Sequence, residues 1–224
     1  MQTVILPSLL AADIGHLADE IKRAEDSGAD QLHLDIMDGA FVPNLSFGTN
    51  VVALAKKTSA LPLNVHLMLN RPDLYAQRFI EAGATSLQIH VESSCNIPEV
   101  LKEIRRLGAI PGLVLNPLTP HTAALPYLHL IDECLQMTVF PGYGGQKFMD
   151  DPLPEIRRLR DAASAAGKPE FVIMVDGGIG RDTISQCASA GANAFVAGTA
   201  LFSKQDMKSE IALFRELAST AFRP

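Results

Sequence analysis

Short apolar runs recur along the chain, and the stretches between them return apolar residues at helical spacing. Runs of four to eight residues that are apolar on both faces suit strands of a buried parallel sheet. They predict strands at Val4–Leu10, Gln31–Met37, Leu63–Leu69, Ser86–Val91, Pro111–Leu115, Leu135–Val139, Phe171–Asp176 and Ala194–Ala197. The stretches between predict helices at Ile14–Ser27, Asn50–Thr58, Pro72–Glu81, Pro98–Leu107, a short one around His121–Leu125, then Pro152–Ala166, Asp182–Ala190 and Met207–Thr220. Strict alternation of the two element types argues for parallel pairing. A Gly-Ala pair closes the helical pattern ahead of a strand at Gly28, Gly83, Gly108 and Gly191, which lie 55, 25 and 83 residues apart. Those intervals are close to two, one and three multiples of about 27 residues, the size of one strand-plus-helix unit. Eight units fit into 224 residues, so the expected fold is α/β, a single-domain (β/α)8 TIM barrel over 1–224.

Polar residues inside the strands interrupt this pattern. In His33-Leu34-Asp35-Ile36-Met37 alternate residues share a face, so His33, Asp35 and Met37 point one way and Leu32, Leu34 and Ile36 the other. A buried ionised carboxylate needs partners, and two further strands each carry one candidate, His66 and Asp176. Two imidazoles and two carboxylates form an N2O2 set for one divalent metal ion, with Zn2+ first and Fe2+, Mn2+ or Co2+ open, because no thiolate takes part. His16, His121 and His129 fall on helical or loop segments and read as surface residues. His90 ends the fourth strand and is a weaker candidate behind the ligands. Met37, Met68, Met137 and Met174 share the inward parity and would floor the site.

Ser8, Asp35, His66, Asn116, Asp176 and Gly198 all fall at strand C-terminal ends, where barrels of this type build their active sites. Gly142-Tyr143-Gly144-Gly145-Gln146, Gly177-Gly178 and Gly198-Thr199 follow three consecutive strands. Glycines let backbone N–H groups approach an anion, and barrels commonly hold phosphate near their last strands. The long connections Asp38–Thr49 and Phe140–Asp151 leave from the same end and are candidate lids. A formal charge of −6 without a run of like charge argues against nucleic acid and anionic membranes. Cys95, Cys134 and Cys187, odd in number and widely spaced, read as reduced thiols of a cytoplasmic protein.

The sequence also resembles the ribulose-phosphate 3-epimerase family along almost its whole length. The resemblance rests on Pro7-Ser8-Leu9-Leu10-Ala11-Ala12-Asp13, Leu34-Asp35-Ile36-Met37-Asp38-Gly39 with Phe41-Val42-Pro43-Asn44, and Val65-His66-Leu67-Met68. It continues through Gly112-Leu113-Val114-Leu115-Asn116-Pro117, Met137-Thr138-Val139, Pro141-Gly142-Tyr143-Gly144-Gly145-Gln146 and Val175-Asp176-Gly177-Gly178-Ile179. It implies a (β/α)8 barrel that interconverts D-ribulose 5-phosphate and D-xylulose 5-phosphate, a step of the pentose phosphate pathway, with one divalent metal and a homo-oligomeric assembly. His33, Asp35, His66 and Asp176 would then be the ligands, Asp35 and Asp176 the acid–base pair, and Ser8 and His66 substrate contacts. Gly142, Tyr143, Gly144, Gly145, Gly177, Gly178, Gly198 and Thr199 would form the phosphate and lid region. Phe140 stands where the family usually has Asn, Ala40 where it has His and Thr199 where Ser is common. The alternative within the same fold is a 3-epimerase of a ketohexose phosphate such as allulose 6-phosphate. Barrels with an Asp-x-Lys-x-x-Asp set are disfavoured, since Lys is absent from Leu34 to Gly39.

Overall fold

The computed structural model describes residues 3–223. Its eight strands are β1 (Val4–Pro7), β2 (Leu32–Met37), β3 (Leu63–Met68), β4 (Ser86–His90), β5 (Ile110–Leu115), β6 (Glu133–Met137), β7 (Val172–Asp176) and β8 (Ala194–Ala197). Every pairing is parallel, in the order β1-β8-β7-β6-β5-β4-β3-β2, and a parallel bridge between Ser8 and His33 joins the two ends of that order. The fold is the expected (β/α)8 barrel. Helices α1 (Leu17–Asp26), α2 (Thr49–Thr58), α3 (Ala76–Glu81), α4 (Ile97–Arg106), α5 (Leu153–Ala165), α6 (Ile184–Ala190), α7 (Thr199–Phe202) and α8 (Met207–Ala221) connect and follow the strands. None of the described helices is long and apolar enough to cross a membrane.

The helices pack as their periodicity directs: α4 buries Ile97, Val100, Leu101 and Ile104 on one face and exposes its charged residues on the other. The glycine of each Gly-Ala pair has φ between 86° and 123°, the left-handed conformation that ends a helix most cheaply in glycine. Several elements differ from expectation: the Pro72–Glu81 pattern opens as a 3-10 turn at Pro72–Leu74 ahead of α3, and the segment around His121–Leu125 forms two 3-10 turns, His121–Ala123 and Leu125–Tyr127, in place of a helix. The first strand stops at Pro7, because the Ser8 side chain accepts from the Leu10 N–H and turns the chain into a 3-10 turn at Leu9–Ala11. The Asp13 side chain likewise caps a 3-10 turn at Ile14–His16, so α1 begins only at Leu17. The sixth strand runs Glu133–Met137, two residues earlier than its apolar pattern suggests, since the buried polar side chain of Glu133 belongs to it. Helix α7 is too short, at four residues, to show a period.

One apolar layer lies between strands and helices and includes Leu32, Leu34, Ile36, Val65, Leu67, Ile173 and Phe214. The barrel interior is split. Leu6, Val114, Leu135, Met174, Ala194 and Val196 fill one half with hydrocarbon. The other half holds His33, Asn64, His66, Ser86, Gln88, His90 and Glu133, all buried. Buried polar groups persist only when hydrogen-bonded, and that requirement organises the site.

Candidate active site

Parallel register sets Asp35 beside His66 and His33 beside Asn64 across β2 and β3. Asp176 ends β7, next to Met137 of β6 and Val196 of β8. Side-chain ligand atoms of His33, Asp35, His66 and Asp176 lie within 4.8 Å of one another. Asp35 is the centre of the group: its Oδ1 is 3.2 Å from His66 Nδ1 and 3.3 Å from His33 Nε2. Its Oδ2 accepts the Ser8 hydroxyl at 2.7 Å.

The chemistry of this group fits a cation. His33 Nδ1 is 2.7 Å from Asn64 Oδ1, and an amide oxygen only accepts, so Nδ1 carries the hydrogen. His33 Nε2 is then left buried without a hydrogen-bond partner, 3.3 Å from Asp35 Oδ1, where either a proton on the ring or a bound cation would answer the carboxylate charge. Burial alone would lower the His33 pKa, but the Asp35 and Asp176 carboxylates raise it to about 9. Burial would raise the Asp35 pKa, yet His33 and His66 hold it well below the usual carboxylate range. His66 is lowered to about 4 by burial. Burial and the Asp35 charge push Asp176 up to about 7. The cluster therefore calls for positive charge where the two imidazoles face Asp35, and two nitrogens with two carboxylates suit a divalent ion.

Above it a cavity of about 340 Å³ is lined by Ser8, Asp35, Met37, Met68, Met137 and Asp176, with Gly142–Gln146, Gly177, Gly178, Gly198 and Thr199 along its rim. The structure thus brings together most of the residues singled out by the sequence. His33 and His66 lie behind the carboxylates, fully buried and outside the cavity lining. Met174 also differs from expectation. It sits one residue pair deeper on β7 than Asp176, among the barrel hydrocarbons, with Gln88 Nε2 at 3.5 Å from its sulfur. Phe140 is 51% exposed and does not line the cavity. Asn116 is also outside the lining, its backbone N–H donating to Glu92 Oε1.

Two close approaches shape the rim. A Cβ on Gly177, at φ 119°, would lie 2.5 Å from Val139 Cγ2, and one on Gly178, at φ 66°, would lie 2.7 Å from the Phe148 nitrogen. Both positions demand glycine. Over the cavity the two long loops are tied together: Tyr143 OH donates to the Pro43 carbonyl at 2.9 Å, and Asn44 Nδ2 donates to the Gly142 carbonyl at 2.7 Å.

Asn64, Glu92 and Glu133 were not among the residues picked from the sequence. Asn64 shares the inward parity of His66 two positions on, but an amide is no metal ligand, and its part shows only in its contact with His33. Glu133 falls just before an apolar run and reads as loop until its hydrogen bonds from Asn64 and Gln88 are seen.

An eight-stranded parallel barrel with an acidic, glycine-rimmed cavity at its strand C-terminal ends places the chain among the (β/α)8-barrel enzymes. The model of the ribulose-phosphate 3 epimerase family matches residues 4–202. Ribulose-phosphate 3-epimerase of Bacillus subtilis is 41% identical over 211 residues, covering 94% of this chain and 97% of that protein. The Aquifex aeolicus protein of the same name is 35% identical over 218 residues, covering 97% of this chain and 98% of its own length. The chain belongs to the ribulose-phosphate 3-epimerase family and is an isomerase. In fold alone it is similar to KGPDC from Streptococcus mutans, at a TM-score of 0.71 with 12% identity and both chains fully covered. Thiamine phosphate pyrophosphorylase from Pyrococcus furiosus aligns at 0.64 with 15% identity over 99% of this chain and 97% of that one.

Proposed function

We propose that the protein inverts C3 of D-ribulose 5-phosphate to give D-xylulose 5-phosphate, and the reverse, with Asp35 and Asp176 as the acid–base pair. One observation carries the reading: two carboxylates within 4.8 Å, from walls three strands apart, both line the cavity and are pushed to opposite protonation states. Removing the C3 proton from one face leaves a planar enediolate, and delivery of a proton from the other face inverts the centre. Ionised Asp35 takes a proton while protonated Asp176 gives one; the return direction exchanges the roles. Ser8 holds Asp35 Oδ2 and turns that carboxylate toward the cavity. His33, Asp35, His66 and Asp176 would hold one divalent ion, Zn2+ first. Bound there, it would supply charge to stabilise the negative oxygens that develop at C2 and C3. Met37, Met68 and Met137 exclude water beneath the reacting carbon.

The glycine rim, with Tyr143 and Thr199, would take the phosphate on backbone N–H groups, which suits a chain of net charge −6. Phe140 stays off the cavity wall, so its difference from the usual family residue leaves room for a pentulose phosphate unaltered. Free Cys95, Cys134 and Cys187 support a cytoplasmic setting.

A coupled assay on ribulose 5-phosphate and allulose 6-phosphate, with bound metal quantified, tests the reading. The expected result is faster turnover of the pentulose phosphate, about one divalent ion per chain, and loss of turnover on prolonged chelation. Full activity in a preparation shown to be metal-free, or preference for the hexulose phosphate, would overturn it.

A further inference from the structure

Outside the ligands and the cavity, the polar half of the barrel holds a chain of hydrogen bonds that leads away from the site. His66 Nε2 is 2.8 Å from His90 Nε2, and His90 Nδ1 is 3.2 Å from Glu92 Oε2. The other Glu92 oxygen accepts from the Asn116 N–H at 3.1 Å and from the Thr119 hydroxyl. His66 and His90 are fully buried, and the Phe41 ring packs on His90 with centroids 4.6 Å apart.

Direction along this chain is forced from its outer end. Glu92 accepts at both oxygens, so His90 Nδ1 must donate. A neutral His90 then has only a lone pair at Nε2, and the short contact with His66 requires a hydrogen on His66 Nε2. His66 Nδ1 is left with a lone pair facing Asp35 Oδ1 at 3.2 Å. Two electron pairs face each other there, an arrangement that a cation between them resolves.

We propose that His90 and Glu92 are positioning residues that fix His66 as its Nε2–H tautomer, with Nδ1 turned toward the metal position. The inference rests on the metal reading above and deepens it. Asn64 does the same for the other imidazole, since its oxygen holds the hydrogen on His33 Nδ1 and its Nδ2 donates to Glu133 Oε1 at 2.9 Å. Each histidine is thereby aimed by a chain that ends on a glutamate. Partners of this kind typically change metal affinity by about 10–100-fold when removed.

The test compares His90→Leu, which removes the acceptor, with His90→Gln, whose Oε1 reaches the distal position and can accept from His66. Zn2+ affinity is measured by chelator competition, and the visible spectrum of the Co2+-loaded protein reports ligand geometry. We expect His90→Leu to bind Zn2+ roughly 10–100-fold more weakly with an altered Co2+ spectrum, and His90→Gln to stay closer to wild type in both. Unchanged affinity and spectrum in His90→Leu, with wild type binding metal normally, would overturn the relay alone. A wild type that binds no divalent ion would overturn the metal reading and the relay with it. Should His90→Leu fail to fold, nitrogen-15 NMR of the Zn2+-loaded wild type decides. Protonated His66 Nε2 with protonated His90 Nδ1 is the expected pair, and His90 protonated at Nε2 instead contradicts it.

Discussion

Asp35 and Asp176 are the same side chain in two electrostatic settings. Two imidazoles keep Asp35 ionised despite its burial, whereas Asp176 has burial and the Asp35 charge against it and only a backbone hydrogen bond and His33 in its favour. Asp176→Asn keeps an oxygen at the cluster but has no transferable proton, so epimerisation should fall by at least roughly 10²–10⁴-fold. Exchange of the C3 hydrogen with D2O, followed by NMR for each pentulose phosphate, separates the two acids. Each Asn variant should keep exchange for one epimer only. Loss for both epimers in one variant, with neither affected in the other, points to a single base. Glu133 offers a test of stability rather than turnover. Burial pushes its pKa from 4.5 to about 7 against the pull of Gln88 and Asn64. Because the folded state keeps this proton longer than the unfolded chain, stability falls as pH rises from about 4.5 to about 7 and is level above. The loss is about 3 kcal/mol across that window, by linkage. In Glu133→Gln this component should vanish, which denaturant titrations of both metal-free proteins at pH 5 and pH 8 will show.

At the level of elements, the cavity depends on how loops leave the strands. The β2 and β6 loops meet through Asn44 and Tyr143, and side-chain hydrogen bonds of this sort contribute about 0.5–1.5 kcal/mol each. The double variant Asn44→Ala/Tyr143→Phe should raise KM several-fold and speed amide exchange across residues 140–148. Unaltered exchange there would show that the clasp does not hold the loop. Gly177→Ala would drive a methyl into Val139 and should cost stability and turnover together, visible as a lower Tm. The strands and most helices were legible because a buried parallel strand is apolar on both faces and because glycine closes the helices. The ends of elements were not: Ser8 and Asp13 cap 3-10 turns by side-chain hydrogen bonds that hydrophobic spacing does not encode. At the site, strand parity placed His33, Asp35, His66 and Asp176 together. It missed Asn64 and Glu92, whose part depends on which nitrogen of a neighbouring ring carries a hydrogen. It also put Met174 at the cavity, although parity fixes the face of a strand and not the depth along it.

For the whole molecule, the cluster ties β2 and β3 to β7 across the barrel, so an ion bound there would link strands far apart in the chain. A ligand of the folded state alone stabilises by about 2.7 kcal/mol at one hundred times its Kd. In a chain of this length each kcal/mol raises Tm by about 2–4 °C. Calorimetry with saturating Zn2+ and with chelator should therefore differ by several degrees in wild type and by far less in His66→Ala. An equal shift in both would place the ion elsewhere. The seam of the barrel carries a consequence for synthesis on the ribosome. Strand β1 is paired along its length with β8, while on its β2 side it is held by the Asp30 N–H on the Ile5 carbonyl, the Ile5 N–H on the Asp30 carboxylate and the Ser8–His33 bridge. A growing chain therefore presents His33, Asp35 and His66 early, but the β8 side of the first strand stays unpaired until residue 197 is outside the exit tunnel. Ser8 reaches Asp35 from the neighbouring strand end, but Asp176 faces them only once β7 is in place. A chain that stops short of β7 and β8 has imidazoles and a carboxylate but no walled chamber, so the cluster and its cavity are complete only after both strands have been added.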